Sequence, residues 1–387
     1  MPTERLEADE LIALIQRVFV PTFEDRRLAI FVDLPDAGLP DNPEWAARRA
    51  MAAEWATLLA SRRDSLGLDA SVYAYRNVRT NNADLPASLT RVEPAHLPAD
   101  ADGLDPATAE PTVQVVARHS LILAPTELSA TAPLKLLART HRFRAATMPG
   151  FAASMIPALR LDYGEVRRRV RVLKDLLDRA ARAELVFEVD GRVTHALTLD
   201  LRHRSAHASD GVLDTPGTAG NLPSGEAYIV PYEGEVPGEP SGSAGELPVQ
   251  FGADVVLFRV EANRAVSVSG EGAAAAEQAA WLAREPAYGN LAELGLGVLA
   301  DFGVRPVGEI LLDEKLGLHV AFGRSDHFGG QVGAAAFSRP DAVVHIDRVY
   351  LPALQPRVLA RRVDLVLEDG AIVALMRDGS YGALFTA

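Results

Sequence analysis

Apolar residues in the first part of the chain follow helical and strand spacings in turn. Leu11, Ile15 and Val18 fall on one helical face, and the run at 27–35 is apolar enough for a buried strand. Strands that alternate with helices are typical of an α/β layered sheet with mainly parallel pairings, here predicted over 1–180. The predicted helices are 5–19, 43–62, 133–143 and 162–183, the predicted strands are 27–35, 70–76, 112–125 and 144–149, and 81–112 is predicted to be an exposed loop.

The spacing of apolar residues changes after residue 183, from alternating helical and strand patterns to mainly strand patterns. Two alternating runs surround Asp190–Gly191, and another pair surrounds Asp369–Gly370; Asp-Gly between such runs is a strong hairpin signal. Short strands dominate from there to the end of the chain. The pattern predicts a strand-rich α+β domain over 181–387, and the candidate metal ligands described below all fall within it.

Composition restricts the chemistry. A chain of 387 residues is longer than one core comfortably supports, which favours two domains. A formal net charge of −13 argues against nucleic acid as a partner. The absence of cysteine excludes thiolate zinc sites and a cysteine nucleophile, so a bound metal must be held by His, Asp or Glu.

Localisation and cofactor signals are few. The acidic start has no basic, then apolar, signal-peptide pattern, and no run of about 18 apolar residues predicts a membrane span. We therefore expect a cytoplasmic protein. Gly295–Ala300 fits a relaxed dinucleotide fingerprint, but it lacks the surrounding βαβ context, so no nucleotide cofactor is predicted.

Histidine and aspartate cluster between residues 319 and 347. His345 and Asp347 are two apart, which places them on the same face of a strand. They could form a metal pair, or a histidine steadied by an aspartate. His319 lies in a short apolar strand, and a glycine-rich turn after it carries Asp326 and His327.

Two glutamates have apolar surroundings. Glu226 stands where a Pro/Gly turn enters an apolar strand, and Glu293 stands among leucines and glycines. Burial of a carboxylate demands a raised pKa, an ion pair or a metal. Together with His319, His345 and Asp347, these residues suit two divalent cations, such as zinc, cobalt or manganese, bridged by a carboxylate and a water.

The segments GNLPSGEAYIVP, NLAELGLG, ILLDEKLGLHVAFG and VVHID, in this order, resemble the aminopeptidase T family of metallo-aminopeptidases. The resemblance covers roughly 110–365 and is specific from about 210 onward. It implies a two-domain homodimer whose dinuclear site removes N-terminal residues from peptides. The implied ligands are Glu226, Glu293, His319, His345 and Asp347.

The sequence departs from the family seven residues after its first histidine ligand, where the well-known peptidases have a tyrosine. Asp326 stands there, followed by His327. Either residue could replace the tyrosine as a ligand or act as the acid–base group, so both are candidate catalytic residues.

Three functions compete. The leading hypothesis is hydrolysis of a peptide or small-molecule amide by a metal-bound water. The alternative is a ring-cleaving dioxygenase of the same superfamily, in which His319, His345 and Asp347 hold one iron(II). A degenerate, non-catalytic binding protein is the third, and retention of five ligand candidates argues against it.

Overall fold

A computed structural model describes residues 4–81, 83–339 and 342–385. The chain divides into two compact units. One comprises Met1–Arg167 and Gly211–Ser224, and the other comprises Arg168–Asp210 and Gly225–Ala387. The predicted mixed α/β architecture with several sheets is confirmed, whereas the single boundary at 180/181 stays a prediction.

The strands are distributed along the whole described chain. In chain order they are β1 Arg27–Leu34, β2 Asp69–Arg76, β3 Ser88–Val92, β4 Ala109–Pro111, β5 Leu121–Ala124, β6 Arg144–Thr147, β7 Ala180–Val189, β8 Val193–Asp200, β9 His207–Ser209, β10 Ala219–Asn221, β11 Glu226–Ile229, β12 Ala244–Phe251, β13 Asp254–Glu261, β14 Arg264–Gly270, β15 Leu291–Gly297, β16 Leu318–Gly323, β17 His345–Val349, β18 Val358–Leu367 and β19 Ile372–Arg377.

The helices lie mainly in the first half of the chain. They are α1 Ala8–Phe19, α2 Pro43–Ser61, α3 Arg63–Leu66, α4 Thr112–Arg118, α5 Thr131–His141, α6 Ile156–Leu159, α7 Tyr163–Leu177, α8 Ala273–Arg284 and α9 Ile310–Asp313. No helix of the described ranges is long and apolar enough to cross a membrane.

The N-terminal unit is built on one sheet with the strand order β10-β6-β5-β1-β2-β3-β4. The pairings from β10 to β2 are parallel, and those of β3 with β2 and β4 are antiparallel. Strand β1 is buried from Leu28 to Leu34, as expected for a central parallel strand covered on both faces. Asn42 caps α2 by accepting a hydrogen bond from the Trp45 amide, which fixes where this helix begins.

The C-terminal unit contains two antiparallel sheets. The larger has the order β14-β13-β12-β8-β7-β18-β19, and the smaller, called here the site sheet, has the order β17-β16-β15-β11-β9. Both predicted Asp-Gly hairpins are present, as β7–β8 and β18–β19. The Phe258 ring of the larger sheet lies 4.9 Å from the Phe322 ring of β16. Phe322 thus packs the back of the site sheet and leaves the other face to the alternate residues of β16.

Three local predictions were wrong. The segment 112–125, predicted as one strand, forms α4 and then β5. The segment 81–112, predicted as a loop, contains β3 and β4. The basic helix ends at Leu177 and not at 183, because the chain enters β7 at Ala180.

Candidate metal centre

Four adjacent strands of the site sheet carry the five predicted ligands on one face. Directly opposed residues of an antiparallel pair point to the same side. Gly295 is opposite His319, Ala321 is opposite Asp347, and Gly323 is opposite His345. This register, with Glu226 opposite Gly297, brings together all five side chains: Glu226, Glu293, His319, His345 and Asp347.

Glycines make room for this convergence. A Cβ at Gly295 would lie 1.9 Å from Nε2 of His319, so the imidazole occupies the space above that strand. A register shift in β15 between Leu291 and Glu293 precedes the glutamate; such bulges re-aim side chains at functional sites. The glycine two residues after Glu293 is therefore needed for steric reasons, which strand propensity does not predict.

Glu293 lies between two imidazoles. Its Oε1 is 3.2 Å from Nε2 of His319, and its Oε2 is 3.3 Å from Nε2 of His345. Glu226 contributes Oε2 at 3.6 Å from the same His319 nitrogen, and Asp347 contributes Oδ1 at 3.5 Å from the His345 nitrogen. The result is two groups of potential ligands with Glu293 in common.

Each group can be defined by its ligand atoms. Those of Glu226, Glu293 and His319 all lie within 4.8 Å of one another, and so do those of Glu293, His345 and Asp347. We call them the Glu226 group and the Asp347 group. Each provides one imidazole and two carboxylates, a nitrogen and oxygen donor set that zinc, manganese and cobalt accept. Oε2 of Glu226 is buried and has no hydrogen-bond partner in the described chain, as expected of an oxygen that serves a cation.

The two histidines are oriented differently. Nδ1 of His345 donates to the Arg324 carbonyl at 2.8 Å, which fixes the tautomer and turns Nε2 toward the carboxylates. Nδ1 of His319 is buried, and no partner for it lies within residues 4–81, 83–339 and 342–385. His319 is instead confined by packing, since its side chain is fully buried.

Electrostatics show that the carboxylates attract positive charge to this face. Burial opposes ionisation of Glu293, but its bonds with His319 and His345 outweigh burial and hold its pKa at about 2. Burial alone would lower the pKa of His319, but the bond to Glu293 and the charge of Glu226 raise it to about 9. Burial likewise opposes protonation of His345, and Asp347 and Glu293 raise its pKa well above the ordinary value. Protonated imidazoles neutralise the buried carboxylates, and a bound divalent cation would neutralise the same carboxylates.

Lys315 and Glu314 join the site, although sequence reasoning did not select them. The Lys315 ammonium is 1% exposed and lies 2.5 Å from Oε1 of Glu226, and it also contacts the Glu314 carboxylate. Burial raises the pKa of Glu314 to about 8 against the opposing effect of Lys315. In the sequence they belong to the segment ILLDEKLGLHVAFG, within a charged triplet at 313–315 between two apolar runs, a pattern that is equally typical of a solvated turn.

The candidate acid–base residues lie beside the Asp347 group. Asp326 accepts bonds from the Arg324 guanidinium at 2.6 and 3.3 Å. The His327 ring centre is 5.4 Å from that of His345. Burial and the charges of His345 and Arg324 lower the pKa of His327 to about 4. Neither residue belongs to a ligand group among the described residues, and their catalytic roles stay predictions.

Aromatic side chains border the ligands on the same face. Tyr228 follows Glu226 by two residues on β11, and its ring stacks on His207 at 5.1 Å. The Phe328 ring is 4.9 Å from Tyr228 and 5.5 Å from His345. The Tyr228 and Phe328 rings meet edge to face and form an apolar border beside the Asp347 group.

Comparisons with known proteins place the fold. No protein-family model matches the sequence, and no curated protein matches it. Among solved structures, the 2,5-dihydroxypyridine dioxygenase of Pseudomonas putida KT2440 is similar, with a TM-score of 0.60 and 14% identity over 98% of each chain. Wild-type AmpT of Thermus thermophilus is similar with a TM-score of 0.55 and 17% identity, over 97% of this chain and 98% of that one. The chain shares the fold of both proteins. At these identities the likeness concerns the fold alone.

Proposed function

We propose that this chain is a metal-dependent hydrolase of the aminopeptidase T type that cleaves peptide or small-molecule amide bonds. The observation that carries the proposal is the position of Glu293, whose two carboxylate oxygens face two different histidines at 3.2 and 3.3 Å. A carboxylate with one oxygen toward each of two ligand groups is suited to bridge the two ions of a dinuclear site.

The donor set determines what the site could hold. The Glu226 group and the Asp347 group would each hold one divalent ion, with Glu293 as the shared ligand. Such a pair of ions supplies a nucleophilic hydroxide at neutral pH and polarises a carbonyl. The chain contributes the ligand geometry, a largely buried floor, and the Arg324 carbonyl that orients His345.

The proton carrier is assigned to His327. Its ring centre lies 5.4 Å from that of His345, which places a group able to move a proton beside the Asp347 group. Asp326 is engaged by the Arg324 guanidinium, which fits a residue that positions the turn.

The proposed partners are a small substrate and a second copy of the chain in a homodimer, with no nucleic acid.

Hydrolysis is tested with amino-acid anilides and dipeptides after apo-protein is reloaded with zinc, manganese or cobalt. The proposal predicts metal-dependent release of the free amine and its loss in the Glu293→Ala variant. Metal-loaded wild-type protein that hydrolyses none of these amides would argue against the aminopeptidase assignment.

A second candidate is a mononuclear iron dioxygenase in which His319, His345 and Asp347 hold one iron(II). It is supported by the aromatic border of Tyr228 and Phe328 beside His345, which suits a flat aromatic substrate. The test is iron content after anaerobic purification, together with oxygen uptake in the presence of hydroxylated aromatics. One iron per chain with substrate-dependent uptake would replace the hydrolase proposal.

A further inference from the structure

Lys315 is a fixed cation at one end of the ligand cluster. Its ammonium lies 2.5 Å from Oε1 of Glu226 and is 1% exposed, so water does not screen its charge. The other carboxylate that it contacts, Glu314, is 15% exposed. A buried ammonium that is paired in this way is a permanent part of the site.

The backbone is built to bring Lys315 to this position. A Cβ at Gly297 would lie 2.1 Å from the carbonyl carbon of Lys315, so only glycine allows the chain to pass this close to β15. Gly297 is the register partner of Glu226. The close approach therefore occurs at the strand position that faces the glutamate.

Lys315 bonds directly to a carboxylate of the Glu226 group, whereas it acts on Asp347 only through its charge, without a hydrogen bond. This makes the two ligand groups unequal. One oxygen of Glu226 is already neutralised by the ammonium, which leaves only Oε2 toward His319. In the Asp347 group, by contrast, the ion pairs of Asp347 and Glu293 are with histidines that could themselves be ligands. A divalent ion in the Glu226 group would lie near a positive charge that does not leave when the ion binds.

Hydrogen bonding around the ligands makes the same distinction independently. His345 is oriented by its bond to the Arg324 carbonyl, whereas Nδ1 of His319 has no partner within the described residues. Outer hydrogen bonds of this kind change metal affinity by about 10- to 100-fold. Both observations favour the Asp347 group as the tighter position.

We propose that the Asp347 group is a permanently occupied metal position and that Lys315 makes the Glu226 group a weak, exchangeable one. This inference rests on the proposed metal site. It adds that occupancy of the second position, and with it the dinuclear state, depends on the free concentration of the divalent cation.

The test is a Co²⁺ titration of apo-protein, followed by visible absorption, with elemental analysis of the protein after gel filtration. Wild-type protein is expected to retain one ion per chain and to bind a second at least about 10-fold more weakly. K315M, which removes the charge at similar volume, should reduce the ratio of the two Co²⁺ dissociation constants by about 10-fold or more. K315R keeps the charge and should behave like wild type.

Two histidine variants keep the proposal testable even if K315M does not fold. H345A should lose the retained ion, whereas H319A should keep it and lose the weakly bound one. Two equally tight ions in wild type, or the opposite behaviour of the histidine variants, would overturn the unequal positions while leaving the metal site intact. An unchanged difference in folded K315M would overturn the role of Lys315. If wild-type protein binds no Co²⁺, the proposed metal site itself is wrong.

Discussion

Asp33 in the N-terminal unit and Glu293 in the C-terminal unit are both buried carboxylates, but they have opposite surroundings. Asp33 accepts hydrogen bonds from the Glu127 amide at 2.8 Å, the Leu128 amide at 2.9 Å and the Trp45 indole at 3.0 Å. Glu293 is bordered by His319 and His345. Glu226, beside Glu293, keeps an oxygen with no hydrogen-bond partner in the described chain.

The partners separate a structural carboxylate from a functional one. Backbone and indole N–H groups are permanent donors that a cation does not replace, and they connect Asp33 to the segments that it holds together. Imidazoles can lose their protons and become ligands, so under the proposed function the same burial at Glu293 gives a site that exchanges protons for metal. Burial alone would not have distinguished the two residues.

Glu293→Ala should have the largest effect. Removal of the shared ligand should lower amide hydrolysis by about 10³-fold, because metal chemistry supplies several kcal/mol and each ~1.4 kcal/mol is tenfold. Bound metal, measured by elemental analysis, should fall with it. Glu285→Ala is the matched control, since Glu285 is a buried carboxylate bonded to Ser338 and should keep its metal. Equal metal loss in both variants would contradict the assignment of Glu293 as a ligand, as opposed to a buried structural carboxylate such as Glu285.

Asp33→Ala should show the opposite pattern. Loss of the carboxylate leaves the Glu127 and Leu128 amides without this acceptor, while the Trp45 indole keeps its bond to the Asp33 backbone carbonyl at 3.1 Å. The two orphaned amides should cost about 3 kcal/mol of unfolding free energy. Metal content should remain that of wild type. Urea unfolding followed by tryptophan fluorescence measures the loss, and a change below about 1 kcal/mol would refute the structural role.

Gly295→Ala tests how the cluster is assembled without removing a ligand. The added methyl would occupy the place of the His319 imidazole and should weaken binding in the Glu226 group by about 10- to 100-fold. Gly242→Ala is a suitable control because its Cβ would lie 3.4 Å from the nearest atom, an Asp200 oxygen. Unchanged metal binding in the Gly295 variant would show that His319 is not a ligand.

The pH dependence of Asp33 should give the smallest effect. Burial raises its pKa to about 6 against the hydrogen bonds that lower it. Since the folded pKa exceeds the unfolded one of about 3.9, the contribution to stability is full below pH 3.9 and is lost as the pH rises through 6. Between pH 5 and 7 the loss should be about 1 kcal/mol. The measurement is the unfolding free energy of wild type minus that of Asp33→Asn at each pH. A value that does not change with pH would contradict the raised pKa of Asp33.

Much of the fold follows from local sequence patterns. The helix start at residue 43, the buried run of β1 and both Asp-Gly hairpins depend on a few residues each, and the structure confirms them. The segment 112–118 shows where this fails. Its β-branched residues favour a strand, but the chain forms α4 and buries Thr112, Val115 and Val116 on one helical face. Tertiary packing decided between the two patterns.

Local sequence patterns likewise predict one part of the candidate site and miss another. The spacing of His345 and Asp347 correctly predicts that both residues face one side of a strand. Lys315 could not be identified, because its partner Glu226 is 89 residues away in sequence and they meet only through the register of β11, β15 and the segment before β16. Gly295 fits a nucleotide-binding motif in the sequence, whereas in the structure it leaves space for the His319 imidazole.

The central claim is that Glu293 is a ligand shared by two divalent ions. Anomalous diffraction from crystals equilibrated with a high concentration of Co²⁺ or Mn²⁺ would test it most directly. The account predicts one ion contacting Glu293, His345 and Asp347, and a second contacting the other oxygen of Glu293 together with Glu226 and His319. A single ion that leaves Glu293 unbound, or no ion on this face of the site sheet, would contradict it.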